Sequence, residues 1–159
     1  MKSLLLALAM VLGCSKHPDD DHVGRDAVAA MKAYTDESHA VVQWFPDVAA
    51  KLGRDLLVDA AAASKLVSEQ LLPRLDAYIA TVDRAILTAD LYLATGVDVG
   101  SATQRQIDQI RRRATALHTA RDAFARIGAK LAAGTPSLAD LEQMSHDLMS
   151  AGVALTLAP

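Results

Sequence analysis

The sequence predicts an all-α fold, an up-down bundle of four helices. Three observations carry this. Apolar residues recur in alternating steps of three and four along most of the chain, the spacing that lines one face of an α-helix. No stretch alternates polar and apolar residues for long, as a half-buried strand would. Hydrophobic residues make up 52% of the chain but aromatic ones only 4%. Alanine supplies much of the difference, and alanine favours helix and lets helices approach closely.

The first helix is expected from Asp26. Met31, Tyr34, Ser38, Val41, Phe45, Val48 and Leu52 hold one phase. Pro46 lies inside that run without shifting it, so a kink is expected over Val42 to Pro46, and Gly53 ends the helix. The second run begins near Asp55. Leu57, Ala61, Ser64, Ser68, Leu71, Leu75, Tyr78, Val82, Ala85, Ala89 and Leu93 keep one phase across Pro73. This is one long kinked helix, or two helices split at Pro73, which would make five in all. The unbroken phase favours the kink, and residues 96–100 form a turn. Ser101-Ala102-Thr103-Gln104 has the capping-box pattern and opens the third helix. Its inner face reads Ile107, Ile110, Ala114, Leu117, Arg121, Phe124, Gly128 and Leu131, and Gly134 stops it. Thr135-Pro136 places a cap residue before a proline and starts the fourth helix. Its expected inner face is Leu138, Leu141, Ser145, Leu148, Gly152 and Leu155. Short turns between four such helices give an up-down assembly over residues 26–158.

The first residues read as an address. Lys2 supplies a positive charge, and Leu4 to Leu12 form an apolar run of the length found in secretory signals. The run is shorter than the ~20 residues that span a bilayer. Gly13 is small, and Cys14 is the only cysteine in the chain. Val11-Leu12-Gly13-Cys14 resembles the lipobox of bacterial lipoproteins. That resemblance implies cleavage before Cys14, loss of residues 1–13 and an acyl chain such as palmitate on Cys14. Ser15 stands where lipoproteins kept at the inner membrane of enteric bacteria often carry Asp. The resemblance therefore implies an envelope protein on the outer membrane, facing the periplasm, in a Gram-negative cell. Residues 14–25 then form the lipidated cysteine and a flexible, aspartate-rich tether.

The processed chain would have 146 residues, enough for one domain with a real core. It keeps 15 basic and 19 acidic side chains, a formal net of −4. That balance argues against a nucleic-acid partner, which needs a basic footprint. With Cys14 lipidated, no thiol remains for a disulfide or a cysteine metal site.

Candidate chemistry is sparse. His17, Asp19, Asp20, Asp21 and His22 lie in the tether and read as a solvated spacer that binds cations loosely at most. His39, His118 and His146 show no metal-ligand spacing. Haem ligation by Met31 and His146 is a remote alternative, because His146 follows Ser145 and points about 100° off the inner line. Glu69, Asp76, Asp83 and Asp90 recur every seventh residue, and Arg105, Arg112 and Arg126 share an outward line; both read as solvated faces. Arg121 is the exception, since it occupies an inner position. It must snorkel, find a carboxylate or face a wet cavity. Arg121 with Ser38 and Ser68 is the candidate ligand pocket. No nucleophile motif, phosphate-binding glycine loop or paired-carboxylate motif is present, so the sequence points to a non-enzymatic protein without a cofactor.

Helix lengths add one expectation. With turns near residues 53, 98 and 135, helices one and four end level with residues 80 and 116. The 80–116 hairpin would project about 20 Å without cover. Its apolar inner face would then meet a second copy, a partner protein or lipid. The sequence thus points to a membrane-anchored interaction or structural module, with a small-ligand sensing bundle as the alternative.

Overall fold

The computed structural model describes residues 18–134 and 136–156. The fold is all-α. Helix α1 runs Pro18–Val58, α2 runs from Ala60–Leu66 through a π-helical segment Val67–Leu71 into Leu72–Ala94, α3 is Gly100–Ala132 and α4 is Leu138–Thr156. Among the described residues there is no strand.

Packing divides the chain into two compact units. Unit 1 holds residues 18–39 and 80–114, so α1, α2 and α3 contribute. Unit 2 holds residues 40–79 with the described residues from 115 onward, so all four helices contribute.

The boundaries differ from those expected, each for a local reason. α1 continues past Gly53, whose backbone stays out of the left-handed region. The turn is at Asp59, which is extended at φ −149°. Its carboxylate accepts the N–H groups of Ala61 and Ala62, both at 3.0 Å. A capping carboxylate stabilises a helix start, whereas a glycine alone stops nothing. Gly53 therefore sits in a helix interior, and a Cβ there would meet nothing within 4 Å. Gly53→Ala is expected to stabilise the fold by about 0.5–1 kcal/mol.

Pro73 neither breaks α2 nor splits it into two helices. It cannot supply the N–H that the preceding turn needs. The π segment just before it widens that turn, and Leu66, Val67 and Leu72 all keep right-handed helical angles. Pro46 likewise lies inside α1 without ending it. Opposite the π segment, α3 comes close at Gly128, where an added Cβ would sit 3.0 Å from Val67 Cγ1. Val67 is fully buried and β-branched, so it has little freedom to move. Gly128→Ala should therefore lower the urea midpoint, the reverse of Gly53→Ala, although both add one methyl to a helix.

In unit 2 the inner faces are largely as expected. Phe45, Leu71, Leu75, Tyr78, Leu117 and Phe124 are buried. The start of α2 and the fourth helix are the exceptions. Leu57, Ala61 and Ser68 are exposed while Ala63, Leu66 and Val67 are buried, because the turn at Asp59 leaves Leu57 in α1 and the π segment shifts the phase before Leu71. In the fourth helix the phase differs as well. Met144 and Ala151 are buried, while Leu138 and Ser145 are exposed. The cap explains the phase. Ser137, not Thr135, opens α4: Asp140 N–H donates to Ser137 Oγ at 3.2 Å, and Ser137 N–H donates back to Asp140 Oδ2 at 3.1 Å. That reciprocal pair puts Leu138 at the first helical position, facing out. Lys130 also donates to Asp140. Together these hold the Asp140 carboxyl down at about 2, Lys130 first and Ser137 second. A depressed carboxyl stabilises the fold above its unfolded value near 3.8 and loses that effect as pH falls through its folded value. The expected NMR titration of Asp140 has its midpoint near 2. Ser137→Ala should raise that midpoint and cost about 0.5–2 kcal/mol.

In unit 1 the expected bare hairpin is covered. Ala27 is fully buried against Tyr92, with Val23, Val28, Val97 and Val99 packed around them. The reason is the turn at Asp59 together with a start at Pro18. Counted from Asp59, Ala27 and Tyr92 lie nearly level, so α1 reaches the end of the hairpin. Residues 18–25 belong to α1 and not to a flexible tether. The rest of the expected tether, with Cys14 and the lipobox, lies outside the described residues. At the hairpin turn, Gly96 adopts φ +81°, a conformation open to glycine, and closes α2. Asp98 Oδ1 accepts the Gly100 N–H at 2.8 Å. The start of α3 is thus held by Asp98 and not by Ser101.

Candidate functional site

The three residues expected to form a pocket are occupied separately. Arg121 lies on α3 in unit 2, beside the buried line of Leu117, Ala120 and Phe124 and not within it. Its Nε donates to Asp76 Oδ1 at 3.0 Å, and Nη1 lies 3.8 Å from Asp122. The Asp76 hydrogen bond, then its charge, raises the guanidinium pKa. Arg121 thus finds a carboxylate, one of the outcomes its position required. Ser68 is exposed in the π segment, and its hydroxyl donates to the Ser64 carbonyl at 3.0 Å. Ser38 is fully buried on α1 in unit 1.

The acidic stripe of α2 is more than a solvated face. Asp76 takes Arg121 in unit 2, and Asp90 takes Arg111 in unit 1. Arg111 also donates to Asp108 at 2.7 Å. These pairs are partly exposed, and such pairs contribute about 0–1 kcal/mol each. They orient α2 against α3 more than they stabilise it. Arg105, Arg112 and Arg126, the expected basic line, are exposed; Arg126 comes within 3.6 Å of Asp147.

His39, His118 and His146 are exposed, and Met31 is buried in unit 1. Among the described residues no three His, Cys, Asp or Glu side chains converge on a metal position. The side chains of the tether aspartates lie outside the described ones, and His22 Nδ1 approaches Asp26 at 3.1 Å. Comparison with known proteins finds no matching family model, no matching curated protein and no matching solved structure.

The structure adds two features that the sequence reading missed. Unit 1 buries polar side chains: Arg113 is only 8% exposed and Thr103 only 2%. Arg113 falls three residues after Ile110 and four before Leu117, which is the spacing that announces an inner position. A buried guanidinium needs polar groups around it, so this end of the core is not a plain hydrocarbon interior. Unit 1 also carries an open groove of about 470 Å³. Asp26, Ala29, Ala30 and Ala33 of α1 and Ala80, Thr81 and Arg84 of α2 line it. Its walls are shallow because alanines form them. One cation and one anion at its rim, Arg84 and Asp26, can orient a small polar group.

Large apolar side chains are exposed along one face of α4: Leu138, Met149 and Val153. Separations of eleven and four residues bring them onto one side of a helix. Among the described residues no helix is long and apolar enough to cross a membrane.

Proposed function

We propose that this chain is a lipid-anchored protein of the bacterial cell envelope, a non-enzymatic module that acts by binding another protein. The observation that carries the reading is the run Lys2, Leu4–Leu12 and Val11-Leu12-Gly13-Cys14, with Cys14 the only thiol in the chain. A helical body supports it, in which Asp59 and Asp140 cap helices and Asp76 and Asp90 pair α2 with α3. The exposed Leu138, Met149 and Val153 give α4 a face suited to a protein partner. The end of the 80–116 hairpin packs on α1, so the exposed face of α4 is favoured over self-association through that hairpin. Ser15 favours the outer membrane, facing the periplasm, in a Gram-negative cell.

The anchor is tested by mass spectrometry of the native N-terminus. An acylated Cys14 is expected, and Cys14→Ala should release the protein from the membrane fraction. An unmodified mature Cys14 refutes the anchor. The binding role is tested by crosslinking at native levels followed by pull-down from envelope extracts. A chain that crosslinks only to itself refutes a partner. The ligand-sensing alternative would have to displace the Arg121–Asp76 pair, so it is the second reading.

A further inference from the structure

α1 begins at Pro18, so only Ser15, Lys16 and His17 separate it from Cys14. Four residue steps reach at most about 14 Å. The start of α1 is itself tied down, because Val23 and Ala27 pack with Tyr92, Val97 and Val99. The 95–99 turn therefore lies at the same end of unit 1 as the chain leading to Cys14. The hairpin turn at that end is poor in charge. From Leu91 to Gln104 only Asp98 is charged, in a chain that is 22% charged. Leu91 is 53% exposed, and Ala94, Thr95, Gly96, Ser101 and Ala102 are exposed with it.

We infer that this end of unit 1, residues 91–102, rests on the lipid surface that holds the Cys14 acyl chains; the inference rests on the anchor reading above. A leash of at most about 14 Å, with about 7 Å of α1 between Pro18 and Val23, keeps this end within about 20 Å of the lipid surface. Small and hydroxyl side chains enter the headgroup layer at little desolvation cost, and Leu91 gains from entering it. Asp19, Asp20 and Asp21 stand in the first turn of α1 and would be repelled by anionic lipid. The surface this end fits is therefore zwitterionic.

The test uses the full lipidated chain in phosphatidylcholine vesicles with brominated acyl chains. Lipidation consumes the Cys14 thiol, so an introduced cysteine is the only one free to take a fluorophore. Labels go on Leu91→Cys, Thr95→Cys and Asp36→Cys, all exposed positions in unit 1. Asp36 lies about 27 Å along α1 from Pro18. Loss of fluorescence at 91 and 95 with none at 36 is the expected result. A chain that floats with the vesicles but is quenched equally, or not at all, at the three positions overturns the seating and leaves the anchor standing. A chain that does not float, with Cys14 unmodified, overturns both. Thr95→Cys carries the test if Leu91→Cys disturbs the fold.

Discussion

Phe124→Ala should cost about 3–5 kcal/mol, among the largest losses any single truncation of unit 2 will produce. Phe124 is fully buried. It meets Phe45 edge-on, with ring centres 6.1 Å apart and planes at 65°. An aromatic pair in that geometry contributes about 0.5–1.5 kcal/mol beyond area burial. Truncation removes this term and leaves a void between α1 and α3 that fixed helix backbones cannot close. Leu75→Ala, also fully buried, should cost about 2–5 kcal/mol. Arg112→Ala, on the exposed side of α3, should stay within about 0.5 kcal/mol. Urea denaturation of the three variants reads the order directly. If Arg112→Ala proves more damaging than Phe124→Ala, the inner phase of α3 is wrong. A double-mutant cycle with Phe45→Ala would then isolate the ring-ring share.

The phases of α1, of α2 from Leu71 onward and of α3 were legible because a long run of three- and four-residue steps holds its register; before Leu71 the π segment shifts it, burying Ala63 and Leu66 where Ala61 and Ser68 were expected. Met31, Val41, Leu75 and Ile107 could hardly face outward together. Boundaries were less legible, because they depend on which residue satisfies the end groups of a helix. Gly53 looked like a stop, but only the Asp59 carboxylate supplies acceptors for the N–H groups of Ala61 and Ala62. Pro18 followed by Asp19, Asp20 and Asp21 reads as a spacer by polarity. It is equally the composition of a helix start, with proline at the first position and acids near the positive end of the dipole. α4 was misphased because its apolar residues are spaced loosely enough to fit two registers. The Ser137–Asp140 cap selects one of them.

Arg121 was placed on the inner line for a different reason. Periodicity places a residue on a face but does not say whether an edge position leans in or out. Arg121 stands at such an edge, one residue from Ala120, and the nearby Asp76 settles its direction. Pairing between α2 and α3 depends on the register of two segments far apart in sequence. The seven-residue repeat that contains Asp76 and Asp90 hinted at it, but the arginines that answer them, Arg121 and Arg111, lie off the basic line read from α3 alone.

Tyr92→Ala should cost unit 1 about 3–5 kcal/mol, the usual loss for a buried aromatic side chain. Tyr92 is 2% exposed in the last turn of α2, with Ala27 of α1 fully buried against it. Ala27 offers only a methyl group, so nearly all the apolar contact between the start of α1 and the hairpin end passes through this ring and the valines around it. Without the ring, Val23, Val28, Val97 and Val99 enclose a cavity and not a core. The start of α1 should then open locally, because a helix end held by few contacts frays before the body unfolds. Amide exchange should accelerate over residues 22–31 and 97–103. Trypsin should cut after Arg25, an exposed residue of α1, at a rate that follows the open population. In a lipidated chain the same change would lengthen the free segment beyond Cys14 and uncouple the hairpin end from the membrane. Exchange and cleavage unchanged from the parent chain would show that Tyr92 does not hold α1 in place.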